Sequence, residues 1–501
     1  MKTDLSAEQK DYARFLPALS GFYATFIGKQ RHEEYVDKSR IPSNLTNGVE
    51  SLNYLNNKEG KFQYKWCLYS AGHADLDINK FSPKEDMIRN RDRENTWLLG
   101  DSGGFQIGKG VWEGDWKDPN CPKAQKKRDS VLKWMDAYMD YGMILDIPAW
   151  VSRSPEGQKA TGITNYQDAV NATRINNDYF MKNKTGACKF LNVLQGENHA
   201  DADDWYAQMK DYCDPKKYPS THFNGWSMGG QNMCDIHLAL KRLVALRFDG
   251  LLEKGIHDVM HFLGTSKLEW ATLLTDVQRA VRKYHNENFT ITFDCASPFL
   301  ATANGQIYCE LETEDRTKWV YRMVPSIDDK ALATDTTPFG QAFVREDKHP
   351  SFMDSPITKE LLAKDICIYG PGDLNKIGKE GKTSWDSFSY TLMMAHNVYN
   401  HIRAVQIAND MNDIEKLKYQ PDPKAWIKIK NADNTDEPSE FVPRNILYFN
   451  TLVEQVFTSE KPMELINSSK PFLADIRGTR WQRATGGGKG KNNFSSLFEG
   501  G

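Results

Sequence analysis

The sequence predicts an α/β protein built on a (β/α)8 barrel, with insertions and a C-terminal helical extension. Short apolar runs that end in a polar residue or a glycine alternate with helix-like stretches. This rhythm is typical of a parallel sheet with helical crossovers. The polar residues stand at the carboxyl ends of the predicted strands, where barrel enzymes keep their active sites. The number of runs favours a closed barrel over an open, doubly wound sheet, which is the alternative.

Each predicted strand is brief, and the helices between the strands show apolar residues at helical spacing. The predicted strands are 60–70, 96–101, 142–146, 190–196, 221–227, 258–264 and 289–294. The predicted helices among them are 167–184, 202–213, 234–254 and 268–285.

The remaining stretches predict decoration around this barrel. Residues 1–60 are polar and predict an N-terminal extension with one helix over 8–26, before the main part of the barrel at 61–305. The predicted parts that follow are an insertion at 306–385 with a strand pair at 306–311 and 318–324, a barrel helix at 386–410, and a helical extension with a basic, glycine-rich, flexible tail at 411–501.

Composition limits the classes of function. Apolar residues make up 40 % and charged residues 26 % of the 501 positions, so most of the chain should fold. The net charge of −3 gives no overall basic character, so nucleic-acid binding would need local patches. The eight cysteines lack paired spacing, and no apolar run is long enough for a signal segment or a membrane span. These features predict free thiols, a cytoplasmic location and no membrane partner, and they leave an oligomer open.

One stretch concentrates chemical groups at a strand end. The run 96–100 enters Asp101-Ser102-Gly103-Gly104-Phe105. The two glycines allow the backbone to turn sharply or to lie against a flat ligand. Asp101 is then placed as a proton carrier and Phe105 as a stacking surface. Taken alone, such a stretch is more often a glycine-rich turn that begins with an aspartate.

Further polar groups end the other predicted strands. Asp146 and Asp294 are carboxylates at strand ends, and Gln195-Gly196, the 225–230 turn and Leu263-Gly264 occupy equivalent positions. Two carboxylates that face a glycosidic carbon can carry out a double displacement, one as the nucleophile and one as acid and then base. A third carboxylate, an amide and exposed backbone can bind the polar edge of a purine. A barrel would bring all of these groups to one rim.

The order of these motifs resembles the tRNA-guanine transglycosylase superfamily. The motifs are DSGGFQ at 101–106, a strand ending in Asp146, LQG at 194–196, GWSMGG at 225–230, FLG at 262–264 and FDCASP at 293–298. The resemblance covers about residues 95–405. It implies that Asp294 is the nucleophile that attacks C1′ of a guanosine, and that Asp101 is the general acid and base. It implies no cofactor, because one glycosidic bond replaces another.

The same resemblance implies how the base is held. Asp146 would bind the N1/N2 edge, Gln195 and the backbone at Gly225 would lie near O6, and Phe105 and Leu263 would sandwich the ring. The implied base-binding set is completed by Ser102, Gly103, Gly104, Gly196, Trp226 and Ser227.

Departures from the family pattern bear on the substrate. Queuine-type enzymes carry zinc on a C-x-C-x2-C and histidine cluster, whereas Cys309 and Cys367 stand far apart here, so neither this zinc site nor any other metal site is expected. Gly230 ends the 225–230 turn at a position where the family often has a glutamate. The pattern is most similar to the DpdA-type DNA-guanine transglycosylases of phages and bacteria, which implies exchange of guanine in DNA for a 7-deazaguanine base such as preQ0. The same exchange on tRNA, a glycoside hydrolase and a non-catalytic docking member of the family are the alternatives.

Overall fold

Eight parallel strands form the barrel that the sequence predicts. The computed structural model describes residues 3–33, 36–313, 319–369, 384–419, 444–474 and 476. The barrel strands are β1 (Arg14–Pro17), β2 (Trp66–Ser70), β3 (Trp97–Asp101), β4 (Tyr141–Met143), β5 (Lys189–Leu194), β6 (Gly225–Met228), β7 (Val259–Phe262) and β8 (Thr290–Cys295). Neighbours in the chain are neighbours in the sheet, and β1 pairs with β8. A parallel bridge between Ala18 and Leu68 joins β1 to β2, which closes the barrel.

The first barrel strand corrects the prediction for the N-terminal residues. The predicted helix over 8–26 is wrong: β1 occupies Arg14–Pro17, and the helix begins only at Gly21 and ends at Glu33. Residues 1–60 are therefore not a separate extension, because they supply one of the eight strands. Pro17 has no N–H donor and is disfavoured inside a helix, whereas Phe15 and Leu16 are buried in the sheet.

The crossovers between the strands are helical, as the rhythm of the sequence predicts. The longer helices that flank the barrel are Gly21–Glu33, Pro122–Tyr138, Tyr166–Asn183, His199–Met209, Ile236–Phe248 and Leu268–Tyr284. Shorter helices, at Asp86–Arg89, Gly104–Gly108, Pro155–Thr161 and Ser297–Ala303, lie in the connections after β2, β3, β4 and β8. The amphipathic helices bury their apolar faces against the sheet.

The region after the eighth strand contains the predicted strand pair and helices. Strands β9 (Gln306–Glu312) and β10 (Val320–Pro325) form an antiparallel hairpin. A 33-residue helix, Ser387–Tyr419, packs on Ser297–Ala303 and Leu268–Tyr284. The other α-helices that the structure describes in this region are Phe339–Arg345, Ala363–Ile366, Arg444–Thr458, Pro462–Ser468 and Lys470–Ala474. The predicted glycine-rich tail, from Arg477 onward, lies outside the described residues.

The cysteines and the helices bear on two further expectations from the sequence. All eight cysteines are free thiols, and six of them are buried. Among the helices described above, none is both long enough and apolar enough to cross a lipid bilayer.

Candidate active site

The three predicted aspartates come together at the carboxyl end of the barrel. Asp101 is the last residue of β3, Asp294 lies one residue before the end of β8, and Asp146 follows β4. Because the strands are parallel, these positions share one rim. The charge of Asp294 raises the pKa of Asp101, and the charge of Asp101 raises the pKa of Asp146, so the carboxylates lie within electrostatic range of one another.

Asp294 is held by two donors from the preceding strand and its loop. The backbone N–H of Gly264 donates to its Oδ1 at 2.9 Å, and Nε2 of His261 lies 3.1 Å from the same oxygen. The second ring nitrogen of His261, Nδ1, lies 2.9 Å from Oγ1 of Thr292. With Nδ1 accepting from the threonine hydroxyl, Nε2 carries the proton that it donates to Asp294. These contacts fix the orientation of the Asp294 carboxylate.

Asp101 has a different environment at the end of its strand. Burial raises its pKa most, and the charge of Asp294 adds to that rise. Two hydrogen bonds oppose the rise, one of 2.6 Å from Oγ of Ser70 and one from the backbone of Gly103, and the electrostatic effect of His261 acts in the same direction. A raised pKa favours the protonated carboxyl, which is the form that a general acid needs.

The glycine at position 103 makes the turn after Asp101 possible. Its φ of +84° lies in the left-handed region, and a Cβ there would lie 2.5 Å from the ring of Trp112. The next glycine allows a close approach of two strand ends, because a Cβ on Gly104 would lie 2.7 Å from the carbonyl oxygen of Asp146. Ser102, between Asp101 and these glycines, is buried.

Asp146 and Gln195 form a buried polar pair beside this turn. Gln195 donates from Nε2 to Oδ2 of Asp146 at 2.7 Å. Burial raises the pKa of Asp146 to about 7, against the hydrogen bond from Gln195, which lowers it. A carboxylate and an amide in contact offer both acceptors and a donor to a purine edge.

The loop after Gln195 is tied to the loop after β6. The backbone N–H of Gly229 donates to Leu194 at 2.8 Å, and that of Gln231 donates to Gly196 at 2.7 Å. A Cβ on Gly230 would lie 2.2 Å from the carbonyl oxygen of Gly196. The Gly229–Gly230 backbone therefore borders the Asp146–Gln195 pair.

The structure places the earlier part of the 225–230 motif away from that pair. Gly225 is the first residue of β6, at the opposite end of the barrel from the three aspartates. Trp226 points outward, where its Nε1 donates to the carbonyl oxygen of Leu251 at 2.9 Å. Ser227 is fully buried in the barrel interior, with Oγ 3.1 Å from Sδ of Met143. Alternation along the strand separates the side chains of Trp226 and Ser227, and the backbone that borders the Asp146–Gln195 pair is that of Gly229–Gly230, not that of Gly225.

The two predicted stacking residues lie at the same end of the barrel as the three aspartates. Phe105 is in the short helix after β3 and Leu263 directly follows β7, and both are partly exposed. The Phe105 ring centroid is 6.0 Å from that of Trp150. Both residues therefore lie at the end of the barrel where Asp101 and Asp294 lie.

Sequence reasoning missed Ser70, His261 and Thr292. Ser70 ends β2 and pairs in register with Asp101, and His261 pairs in register with Thr292. Thr292 lies two residues before Asp294 in β8, on the same face of the strand. A polar residue with this spacing inside an apolar run is the signal that could have identified it.

The two cysteines after β8, Cys309 and Cys367, do not belong to the group of possible metal ligands that the structure brings together. Sγ of Cys309 contacts the carbonyl oxygen of Arg322, and Sγ of Cys367 contacts that of Ile327. A group of three possible ligands does occur at His199, Asp235 and His237, at the beginnings of the helices that follow β5 and β6.

Comparisons with known proteins add no assignment. No protein-family model matches this chain, and no curated protein shows significant sequence similarity to it.

Because Trp226 points outward, we expect it to contribute to the stability of the fold and not to the binding of a base. Replacing Trp226 by phenylalanine removes the hydrogen bond to Leu251 and part of the packing, so we expect a loss of about 1–3 kcal/mol in the free energy of unfolding. The KM for the guanine-type base that the sequence resemblance implies as substrate should stay unchanged. Urea denaturation and base titration measure the two quantities. A raised KM with unchanged stability would place the indole at the base instead.

Proposed function

We propose that this protein exchanges guanine in DNA for a 7-deazaguanine base through a covalent intermediate on Asp294. The observation that supports this proposal most is the convergence of Asp294, Asp101 and Asp146 on one barrel rim. The three carboxyl groups differ in their partners, which suits three different roles. Asp294 is oriented by two donors, the pKa of Asp101 is raised, and Asp146 is paired with Gln195.

In the first displacement, a carboxylate oxygen of Asp294 attacks C1′ of the target nucleoside. The C1′–N9 bond breaks, and its electron pair leaves with the base. Asp101 donates its proton to the departing guanine, so that a neutral base is released. The N–H donors from His261 and Gly264 hold the attacking carboxylate in position.

In the second displacement, the incoming base attacks C1′ from the side that guanine left. Asp101, now a carboxylate, accepts the N9 proton of that base. The ester to Asp294 breaks, and the carboxylate is restored. Esterification removes the negative charge that raises the pKa of Asp101, but burial still holds this pKa up, so the proton returns to Asp101. Two inversions at one carbon retain the β-anomer.

Base recognition in this proposal depends on the Asp146–Gln195 pair. The Asp146 carboxylate can accept hydrogen bonds from N1–H and N2–H of guanine, while the backbone beside Gly229–Gly230 can contact O6. The target base must leave the stack to reach this rim, so we expect base flipping or an unpaired target. Phe105 and Leu263 offer the apolar faces for the flipped ring.

The proposal is tested by following labelled guanine into nucleic acid. Purified protein is incubated with labelled guanine and either duplex DNA or bulk tRNA, and incorporated label is counted after precipitation. Label in DNA, absent with the Asp294→Ala protein, supports the proposal. Label in tRNA alone would move the same chemistry to the tRNA substrate, and label in neither would contradict base exchange. Mass spectrometry of nucleosides from cells supplied with 7-deazaguanine bases then identifies the inserted base.

The raised pKa of Asp146 predicts a pH-dependent KM for the base. Below pH about 7 the carboxyl is protonated and loses acceptor capacity, so KM should rise as the pH falls through this value. In Asp146→Asn protein, KM should be raised about 10- to 100-fold and should not change with pH in this range. The matched control is Asp92→Asn, on an exposed turn. If Asp146→Asn leaves the base preference unchanged, Asp146 has no part in recognition.

The contact between His261 and Asp294 predicts a rate effect without a binding effect. Replacing His261 by phenylalanine keeps a ring but removes the N–H donor, so we expect the exchange rate to fall by about 10- to 100-fold with little change in KM. His261→Gln retains an amide donor near the position of Nε2 and should recover part of the rate. Equal rates for the two variants would show that packing rather than the hydrogen bond matters.

A further inference from the structure

Three side chains with metal-binding atoms gather between the loops that follow β5 and β6. His199 begins the helix His199–Met209, Asp235 precedes the helix Ile236–Phe248, and His237 lies in its first turn. One ligand atom from each lies within 4.8 Å of the others. Nε2 of His199 is 2.6 Å from Oδ2 of Asp235, and the two imidazole rings stack with centroids 5.6 Å apart.

The two carboxylate oxygens of Asp235 have different partners. Oδ1 accepts from the backbone N–H of Leu238 and so caps the helix. Oδ2 faces His199 and also lies 3.2 Å from Nε2 of Gln231. The capped oxygen fixes the carboxylate, so that Oδ2 is presented to the histidines in a defined direction. Asp235 is 1 % exposed, which makes its contacts with polar or cationic groups energetically important.

His237 has the form that metal binding requires. Its Nε2 lies 3.2 Å from Oδ1 of Asn467, on the helix Pro462–Ser468. When Nε2 donates to this oxygen, Nδ1 carries the lone pair, as in the paired histidines of metal sites. A neutral imidazole is the species that ligates a metal ion.

We propose that His199, Asp235 and His237 bind a divalent transition-metal ion, for which zinc is the best match. Two imidazole nitrogens and one carboxylate oxygen form a common three-residue zinc set. Tetrahedral zinc with bonds of about 2.0–2.1 Å places its ligand atoms roughly 3.3 Å apart, so side-chain shifts of about 1.5 Å or less complete the geometry. The His199 side chain is 26 % exposed, so solvent reaches the site and a water can supply the fourth ligand.

Charge in the surroundings does not prevent this binding. The nearby lysine that acts on His237 is Lys470, and its side chain is exposed to solvent. Solvent and salt screen the repulsion between an exposed ammonium group and a bound ion. The three ligands carry one negative charge when both histidines are neutral, which offsets half the charge of the metal ion.

A metal ion here would join the two loops that border the Asp146–Gln195 pair. His199 follows Gln195 and Gly196 in one loop, and Asp235 follows Gly229 and Gly230 in the other. The ion would therefore act as a positioning clip for the base-binding backbone, and it would not touch the reacting atoms. Metal binding by these three side chains depends on their geometry alone and does not require base exchange as the reaction.

The experiment measures metal bound to the full chain. Protein is stripped with a chelator, dialysed into metal-free buffer and titrated with Zn²⁺, and bound metal is counted by mass spectrometry after removal of free ion. We expect about one zinc per chain. Titration with Co²⁺ should give the visible absorption bands of a four-coordinate site with nitrogen and oxygen ligands. Absence of stoichiometric Zn²⁺ and Co²⁺ binding at micromolar metal would overturn the proposal.

Variants separate a specific site from loose binding at surface histidines. His237→Ala and His199→Gln should each lower bound zinc to below about a tenth of an ion per chain. His199→Gln keeps a donor for Asp235, so the fold should persist, which far-ultraviolet circular dichroism checks. The matched control His222→Ala, at a histidine outside the group, should bind as the unaltered protein does. Unchanged zinc affinity in His199→Gln would contradict the site, whereas Asn467→Ala should weaken binding by about 10- to 100-fold.

Discussion

Replacement of Asp294 by alanine is expected to lower the rate of base exchange by at least about 10⁴-fold, because the nucleophile forms the covalent bond on which both displacements depend. Initial rates of labelled-guanine incorporation measure this effect. The KM for the base should change much less than the rate, since Asp146 and Gln195 remain. Asp92→Asn, on an exposed turn, is the matched control and should keep the full rate.

The covalent intermediate gives a second measurement for the same residue. A short DNA duplex mixed with unaltered protein should yield a protein–DNA adduct that survives denaturing electrophoresis. The adduct should be absent with Asp294→Ala and with Asp294→Asn. The asparagine variant matters because it still accepts the hydrogen bonds from Gly264 and His261, so that loss of the adduct cannot be attributed to an altered loop. An adduct that forms with either variant would assign the nucleophile to another residue.

The barrel could be predicted because its strands are buried on both sides. Such strands are near-continuous apolar runs, and the runs at 190–196, 258–264 and 289–294 coincide with most of β5, β7 and β8. The first strand could not be read in this way. Arg14–Pro17 is only four residues long, and the apolar residues around it also fit a helical pattern. Its identity as a strand follows from its two neighbours in the closed barrel, and these are distant in sequence.

The carboxylates of the candidate site could be predicted from the sequence because each follows a predicted strand. The groups that surround them, which decide the role of each carboxylate, could be predicted less well. Asp101, Asp146 and Asp294 follow apolar runs, which marks them in the sequence. The donor from His261 is set by register between β7 and β8, and a single sequence does not contain register. The 225–230 motif shows the same limit, because alternation along β6 sends Trp226 outward and leaves the following glycines at the rim.

Replacement of Asp101 by asparagine is expected to slow guanine release by about 10³-fold, because the departing base then leaves without its proton. The asparagine side chain can keep the contact with Ser70, so the strand end should retain its structure. The alkaline side of the pH–rate profile gives a second measurement of the role of Asp101 as general acid. Activity in the unaltered protein should fall as Asp101 loses its proton, at a pH above the ordinary aspartate range because burial and Asp294 raise its pKa. This limb should disappear in the variant.

A substrate that needs no acid tests the role of Asp101 directly. N7-methylguanine in DNA carries a positive charge, so cleavage of its C1′–N9 bond releases a neutral base without protonation. If Asp101 acts as the general acid, Asp101→Asn should release N7-methylguanine at a rate within about tenfold of the unaltered protein, while guanine release remains slow. Asp294→Ala should be slow on both substrates, since both need the nucleophile. An equal loss of rate on guanine and on N7-methylguanine in Asp101→Asn would contradict the role of Asp101 as general acid. The N7-methylguanine leaves as a neutral base without protonation, so the loss of a proton donor should not slow its release.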